Sequence, residues 1–427
     1  MYHPKPTAGD TSWFVHDRFG MFIHWGLYAL PARHEWVRHY EEIPNEAYEK
    51  YFENFNPHMF DPVQWARTAW DAGMRYVVLT TKHHEGFCLW DTQYTDYKVT
   101  NTPYGKEILR PFVEAFRSQG FRIGFYYSLI DWHHPEFPID GIHPLRNHPD
   151  ALEMNKSRDV RKYAEYMRNQ VRELLTNYGQ VDVLWCDFSY PGREYKGMPG
   201  KGRDDWESEK LVALIRELQP KILLDDRLDL PGSADIYTPE QYQPAAWVRV
   251  DGEPVVWEAC QTFSGSWGYH RDEATWKDAG QLVRMLVNTV ATGGNLLMNV
   301  GPTPLGTWDS RALDALKIYE EWMKFHGEAI YGCTQSEFTA PADCRLTQNG
   351  DKLYLHIYAW PFRYLLFEGM GEKVKFARFL HDGSEVLMNA IPDWQLTHFG
   401  LDKSALVLTL PVKQPNTVVP VIELTLK

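Results

Sequence analysis

The stretch YVVLTTKHHEGF (76–87) decides the fold, because an uninterrupted apolar run leads directly into a cluster of polar side chains. Two further runs of this kind are VDVLW (181–185) and KILLDD (221–226). A strand with one solvated face alternates apolar and polar residues, whereas a continuous run is typical of a parallel strand buried on both faces. The sequence therefore predicts a parallel sheet covered by helices.

Working outward from these runs, we find strand and helix patterns in alternation. Strands are predicted at 18–24, 75–81, 122–128, 181–187, 222–226, 254–260 and 295–300, with a weak eighth at 234–237. Helices are predicted at 62–72, 111–119, 158–177, 206–218 and 275–292, from apolar residues three and four positions apart. Eight β units over roughly 300 residues favour a TIM-type (β/α)8 barrel over a doubly wound sheet. The strands predicted at 222–226, 234–237 and 254–260 follow one another with little helical pattern between them, so we expect an irregular barrel.

The pattern changes after a helix predicted at 310–326. Short alternating runs such as KLYLHIYAW (352–360) and TVVPVIELTLK (417–427) follow one another with turns and no helices between them. This pattern indicates a small antiparallel β-sandwich. We predict a catalytic barrel over residues 1–335 and a C-terminal sandwich over residues 336–427.

Composition excludes several classes of partner. The 427 residues carry a net charge of −13 and show no concentrated Lys/Arg face, which disfavours nucleic acids and anionic membranes. No apolar run approaches the ~18 residues of a membrane span, and we see no signal-peptide pattern, so we expect a cytoplasmic protein. Five scattered Cys argue against a disulfide framework. The 15% aromatic content suggests a ligand surface and a homo-oligomer.

Polar side chains follow most of the predicted strands, at the edge where TIM barrels hold their active sites. One hypothesis is a metal-dependent hydrolase that uses the strand-end histidines, although the His-x-His motif common in barrel metallohydrolases is replaced here by His24-Trp25-Gly26. The other is glycoside hydrolysis, which needs one ionised and one protonated carboxyl group around one sugar carbon. Asp187 and Glu240 are the candidates for that pair, and we expect no metal or cofactor.

Several motifs resemble family 29 glycoside hydrolases, the retaining α-L-fucosidases, of the bacterial type. They occur in order over about residues 13–306 as RFGMFIHWGLY (18–28), HEW (34–36), TKHHEGF (81–87), GFYYSLIDWHHP (124–135), LWCD (184–187), YTPE (237–240), WEAC (257–260) and SGSWGY (264–269). The resemblance implies the barrel-plus-sandwich architecture, a fucosylated oligosaccharide or glycoconjugate substrate, and cleavage through a covalent fucosyl-enzyme.

The resemblance also implies roles for individual residues. Asp187 matches the nucleophile and Glu240 the general acid/base. Glu258, a carboxylate at a neighbouring strand end, is a rival acid/base, and Glu35 is a lesser one. The residues that match sugar contacts are Phe22, His24, Glu35, Trp36, His83, His84, Tyr127, Trp185, Arg227 and Trp267. A neighbouring subunit or the sandwich could add an aromatic side chain such as Trp394. A catalytically silent fucose-binding protein is a further alternative, and the sequence leaves the preferred linkage open.

The segment after Asp187 differs from the family pattern. It reads FSYP (188–191) and lacks the Gly that often follows the nucleophile. The resemblance therefore implies nothing about the loop conformation at this point.

Overall fold

The computed structural model describes residues 4–389 and 404–427. Seven parallel strands form one sheet in the order β10-β11-β1-β2-β3-β4-β7. They are β1 (Phe19–Ile23), β2 (Tyr76–Lys82), β3 (Arg122–Ser128), β4 (Val183–Asp187), β7 (Leu223–Leu224), β10 (Glu258–Thr262) and β11 (Asn295–Val300). Two small hairpins lie between them, β5 (Glu194–Tyr195) with β6 (Met198–Pro199) and β8 (Arg249–Val250) with β9 (Glu253–Pro254).

The sheet is an open TIM-type barrel, which confirms the predicted fold class. Where the weak eighth strand is predicted, residues 235–240 form no regular strand in the structure. The backbone N–H groups of Asp235 and Ile236 donate to the Leu224 carbonyl on β7, while isolated bridges join Tyr237 to Trp257 and Glu240 to Cys260 beside β10. This irregular segment connects the two edge strands and carries Glu240 to the carboxyl-terminal rim.

Side chains alternate between the barrel interior and the helix layer along each strand. On β1, Phe22 packs inside with Tyr126 and Trp185, whereas Met21 and Ile23 belong to the larger core beneath the helices. Both faces are therefore buried, which is the physical reason for the continuous apolar runs.

The helices cover the outside of the sheet and fill the connections between strands. They are α1 (Ser12–Asp17), α2 (Val37–Tyr40), α3 (Asn45–Phe52), α4 (Pro62–Asp71), α5 (Leu109–Gln119), α6 (Ala151–Met154), α7 (Val160–Asn177), α8 (Arg203–Trp206), α9 (Ser208–Leu218), α10 (Ala279–Ala291) and α11 (Ser310–His326). No helix in the described part of the chain combines the length and apolar character that a membrane crossing needs. All five Cys are buried free thiols.

The C-terminal region forms two antiparallel sheets that share one apolar core. The larger sheet contains β12 (Thr334–Gln335), β13 (Cys344–Asn349), β14 (Lys352–Ile357), β16 (Val374–Phe379) and β19 (Val421–Leu426). The smaller sheet contains β15 (Tyr364–Phe367), β17 (Leu387–Asn389) and β18 (Leu406–Thr409). The antiparallel character confirms this part of the predicted fold class. The division at residue 335 stays a prediction, and Trp394 lies outside the described residues.

Candidate active site

A cavity of about 370 Å³ opens at the carboxyl-terminal rim of the barrel. Ten of the predicted site residues line it, namely Phe22, His24, Glu35, Trp36, His83, His84, Trp185, Asp187, Glu240 and Trp267. The volume lies in the range of pockets that enclose a small ligand.

The two predicted carboxyl groups meet in this cavity and share one cation. Asp187 is the last residue of β4, and its Oδ1 accepts a hydrogen bond from Arg227 Nη1 at 2.9 Å. Arg227 Nη2 lies 2.8 Å from Glu240 Oε2. The Asp187 side chain is 11% exposed and that of Glu240 is 41% exposed. The more deeply placed carboxyl group thus faces the cavity floor, while the other lies where solvent can reach it.

The environment of Asp187 raises the pKa of its carboxyl group to about 6. Burial is the main cause, and the negative charge of Glu240 adds to it. Arg227 and a 2.7 Å hydrogen bond from the Tyr126 hydroxyl to Oδ2 act in the opposite direction. At neutral pH the group is therefore mainly ionised, as a nucleophile must be.

Four histidines line the cavity, and three of them, His24, His83 and His84, are buried. His83 and His84 both face it although they are consecutive, because β2 ends at Lys82 after a register irregularity between Thr80 and Lys82. Burial lowers the pKa of His24 to about 3 and places the pKa values of the other two well below 6.5. All three rings are therefore neutral at pH 7 and can exchange hydrogen bonds with hydroxyl groups.

The imidazoles are oriented by neighbouring side chains. His24 Nδ1 lies 2.6 Å from Asn299 Oδ1 on β11, and His84 Nδ1 lies 2.7 Å from Ser128 Oγ on β3. No group of three or more His, Cys, Asp or Glu side chains within residues 4–389 and 404–427 is arranged to hold a metal ion.

Glu35 reaches the cavity from the segment between β1 and α2. Its Oε2 accepts hydrogen bonds from the backbone N–H groups of Trp267 and Gly268 at 3.1 and 2.8 Å. Its Oε1 is buried 3.2 Å from His34 Nδ1 and accepts no hydrogen bond from any described residue. Burial raises the pKa of Glu35. One acceptor atom is thus left for a ligand.

Aromatic rings form the remaining walls. Phe22 contacts Trp185 and Trp267 with ring centroids 5.3 and 5.9 Å apart. Trp36 contacts His84 at 5.0 Å and Phe188 at 5.4 Å. Flat apolar faces beside directional polar groups suit a sugar, which has both kinds of surface.

The prediction for Tyr127 is wrong. Its side chain points away from the barrel interior and donates a 2.8 Å hydrogen bond to Gln170 on α7, because alternate residues of β3 face opposite sides. Its neighbour Tyr126 lines the cavity and holds Asp187 instead. Arg227 is not among the residues that line the cavity, but its guanidinium contacts both carboxyl groups.

The expectation that Glu258 stands at a strand end is also wrong. β10 runs from Glu258 to Thr262, so it begins four residues later and ends two residues later than the predicted strand, and Glu258 is its first residue. Cys260, two residues further along the same inward face, lines the cavity, and Glu258 lies below it. The structure thus places Glu240 in the cavity and Glu258 beneath it.

Phe188, the residue after Asp187, has a backbone conformation that glycine adopts more readily than other residues. Its φ is 87°, in the region that residues with a Cβ rarely adopt, at a cost of about 1–3 kcal/mol. The turn places its ring against His84 at 5.1 Å and Trp36 at 5.4 Å. The strained turn therefore builds one wall of the cavity.

Other lining residues were not predicted, namely His34, Tyr40, Tyr126, Phe188, Gln241, Cys260 and Gly265. Four of them are neighbours of predicted residues, since His34 precedes Glu35, Tyr126 precedes Tyr127, Phe188 follows Asp187 and Gln241 follows Glu240. Their position next to a predicted residue was thus the sequence signal that could have identified them as cavity residues. Tyr126 required the direction of the β3 side chains, which the run FYY does not reveal.

A TIM-type barrel with two acidic side chains around one aromatic-walled cavity at its strand ends defines a glycoside hydrolase. The family model described as alpha-L-fucosidase matches residues 5–328. Human plasma alpha-L-fucosidase is 31% identical over 391 residues, which cover 84% of this chain and 78% of that protein. The chain belongs to the alpha-L-fucosidase family.

Solved structures of this family are also similar to the chain. Alpha-L-fucosidase isoenzyme 1 from Paenibacillus thiaminolyticus is 45% identical and has a TM-score of 0.91, with 98% of each chain covered. A GH29 alpha-L-fucosidase from Bacteroides thetaiotaomicron, solved as a trapped covalent intermediate with 2-fluoro-fucosyl fluoride, is 26% identical with a TM-score of 0.82. That comparison covers 100% of this chain and 98% of the other.

Proposed function

We propose that this protein releases terminal α-linked L-fucose with retained configuration, using Asp187 as nucleophile and Glu240 as general acid/base. The observation that carries the proposal is the shared contact of Arg227 with both carboxyl groups inside one cavity. Retaining glycosidases place their two carboxyl groups about 5–5.5 Å apart, close enough for one of them to attack the sugar directly. One guanidinium between both groups supports this short separation.

In the first step, protonated Glu240 donates its proton to the glycosidic oxygen while Asp187 attacks the anomeric carbon. The bond to the leaving group breaks as the fucosyl–Asp187 ester forms, through an oxocarbenium-like transition state. In the second step, Glu240 removes a proton from water, which attacks the same carbon and releases Asp187. The 41% exposure of Glu240 suits a group that meets first the leaving oxygen and then water.

Recognition of fucose is assigned to the polar atoms that the cavity leaves unpaired. Glu35 Oε1 and His83 Nδ1 are buried without a hydrogen-bond partner among the described residues. A buried polar atom without a partner costs about 1–3 kcal/mol, which a sugar hydroxyl would recover. Phe22 and Trp267 provide an apolar wall for the C5 methyl group. Such a wall rejects an added hydroxyl only weakly, so we expect slow turnover of β-D-galactosides.

The proposal is tested with a nitrophenyl α-L-fucoside and NMR detection of the first sugar anomer. Retention predicts α-L-fucose as the first product, whereas β-L-fucose would contradict the mechanism. The Asp187→Ala variant should lose turnover, and azide should restore it by forming β-L-fucosyl azide in the vacated space. Asp182→Asn, at the opposite end of the same strand segment, is the matched control and should need no azide. Full activity of Asp187→Ala would show that Asp187 is not the nucleophile.

Two alternatives predict different results. A metal-dependent hydrolase would lose activity with a chelator, whereas we expect the rate to stay unchanged. A silent fucose-binding protein would bind fucose without hydrolysing the aryl fucoside. Three further points remain proposals: the fucosylated oligosaccharide or glycoconjugate substrate, the homo-oligomer and the cytoplasmic location. Size-exclusion chromatography with light scattering tests whether the protein is a homo-oligomer.

A further inference from the structure

A fully buried carboxyl group lies beneath the cavity, and the mechanism does not use it. Glu258 is 1% exposed, and no Lys or Arg in the described part of the chain forms an ion pair with it. Its Oε2 accepts a hydrogen bond from the Tyr76 hydroxyl at 2.5 Å, and its Oε1 accepts one from Trp185 Nε1 at 3.3 Å. Burying a carboxyl group without a cation is costly, so its presence requires a reason.

The contact with Trp185 connects Glu258 to the reacting groups. The indole of Trp185 lies below the Arg227 guanidinium, whose Cζ is 4.5 Å from the ring centroid. The same indole stacks on Tyr126 with centroids 5.8 Å apart and an interplanar angle of 22°. Among the described residues, Arg227 and Tyr126 donate the hydrogen bonds that the Asp187 carboxyl group accepts. Trp185 thus supports both partners of Asp187, and Glu258 fixes the N–H edge of Trp185.

We propose that Glu258 is a positioning residue that acts through the Trp185 indole on Arg227 and Tyr126, and so on Asp187. The inference rests on the proposed function, because it gives Glu258 a part in that reaction without proton exchange with the substrate. Indole has a single N–H donor, so a fixed acceptor such as Glu258 adds one directional contact to the packing that orients the ring. Small displacements of reacting groups cost rate, about a hundredfold for 1 Å.

The experiment compares Glu258→Gln with Glu258→Leu. Glutamine keeps an oxygen for the Trp185 N–H, and its NH2 group can donate to the Tyr76 hydroxyl, so a positioning role survives. Leucine has a similar size and offers no acceptor. We expect kcat/KM of Glu258→Gln within about threefold of wild type, and that of Glu258→Leu about ten- to a hundredfold lower. Both values should hold equally for an activated aryl fucoside and for a fucosyl disaccharide.

A double-mutant comparison tests whether the effect passes through Trp185. Trp185→Phe removes the indole N–H and leaves Glu258 in place, so it remains informative if Glu258→Leu fails to fold. In the Trp185→Phe background, Glu258→Leu should reduce kcat/KM by no more than about twofold, because the contact is already lost. Thermal unfolding of each variant separates loss of fold from loss of rate.

Three results would overturn the inference. Glu258→Gln losing as much activity as Glu258→Leu would show that an ionisable group is needed. Folded Glu258→Leu with wild-type kcat/KM would show that no positioning is needed. A full additional loss from Glu258→Leu in the Trp185→Phe background would place the effect elsewhere. An inactive wild-type protein would instead reject the proposed function, so the two failures are distinguishable.

Discussion

Replacing Arg227 with Met removes the cation between the two carboxyl groups and should move the pH dependence of catalysis. Arg227 lowers the pKa of Asp187 both by its charge and by its 2.9 Å hydrogen bond, and the pKa nevertheless stands at about 6 because burial opposes these effects. A neighbouring cation lowers a carboxyl pKa by about 1–3 units. Without Arg227 the pKa of Asp187 should therefore rise by that amount.

The loss at neutral pH can be worked out from these values. A carboxyl group with a pKa of about 6 is roughly 90% ionised at pH 7, and a rise of about two units leaves roughly 10% ionised. We expect kcat/KM of Arg227→Met at pH 7 to fall about ninefold from this cause alone, and further from the lost hydrogen bonds. The acid limb of the profile should move to higher pH.

The assay is kcat/KM for an aryl α-L-fucoside from pH 4 to pH 9. Arg168→Met is the matched control, because Arg168 on α7 pairs with Glu207 at 2.5 Å and contacts neither carboxyl group of the cavity. Its profile should coincide with that of wild type. An acid limb of Arg227→Met that stays in place or moves to lower pH would refute the reasoning.

Removing the Glu240 carboxylate in Glu240→Gln should slow disaccharide hydrolysis far more than that of an activated aryl fucoside. It should also move the acid limb to lower pH, since the Glu240 charge raises the pKa of Asp187; equal losses on both substrates would reassign the acid. Tyr126→Phe should lower kcat/KM about tenfold and raise the acid limb, because a hydrogen bond to a charged group is lost, while Tyr127→Phe should keep wild-type kinetics and lose only stability. Asp187→Asn should stabilise the fold by roughly 2–3 kcal/mol at pH 7, because folding raises the Asp187 pKa from 3.8 to about 6 and ionisation then opposes folding. Urea unfolding should show this gain fully above pH 6 and declining as the pH falls from 6 to 4, and a gain independent of pH would contradict it.

The barrel could be predicted from the sequence because a strand buried on both faces consists mainly of apolar residues in one continuous run. The runs at 76–81 and 181–185 are mainly apolar and buried throughout, and their strands lie within two residues of the predicted bounds. Residues 235–240 contain no continuous apolar run of this kind. Their hydrogen bonds go to Leu224 on one edge strand of the open barrel and to residues 256–260 at the other edge strand, partners that the local sequence does not specify.

The predictions of site residues were correct where polar residues follow the end of a strand. They were wrong where the outcome depended on the direction of a side chain or on the register of a strand. Tyr126 and Tyr127 have equal hydrophobicity, so only pairing with β4, which places Tyr126 opposite Trp185, decides which one faces the cavity. Glu258 was placed at a strand end because the apolar run 254–260 begins before the hydrogen-bonded strand does. Glu35 could be connected with Trp267 and Gly268 only by the fold, since 232 residues or more separate them.

The central claim is that Asp187 becomes covalently bonded to the sugar, and peptide mass spectrometry tests it most directly. The wild-type protein is incubated with a 2-deoxy-2-fluoro-L-fucosyl fluoride, whose fluorine at C2 slows release of the intermediate, and is then digested and sequenced. We expect one added fluorofucosyl group on Asp187. A label on Glu240, Glu258 or any other residue, or turnover without a covalent adduct under these conditions, would contradict it.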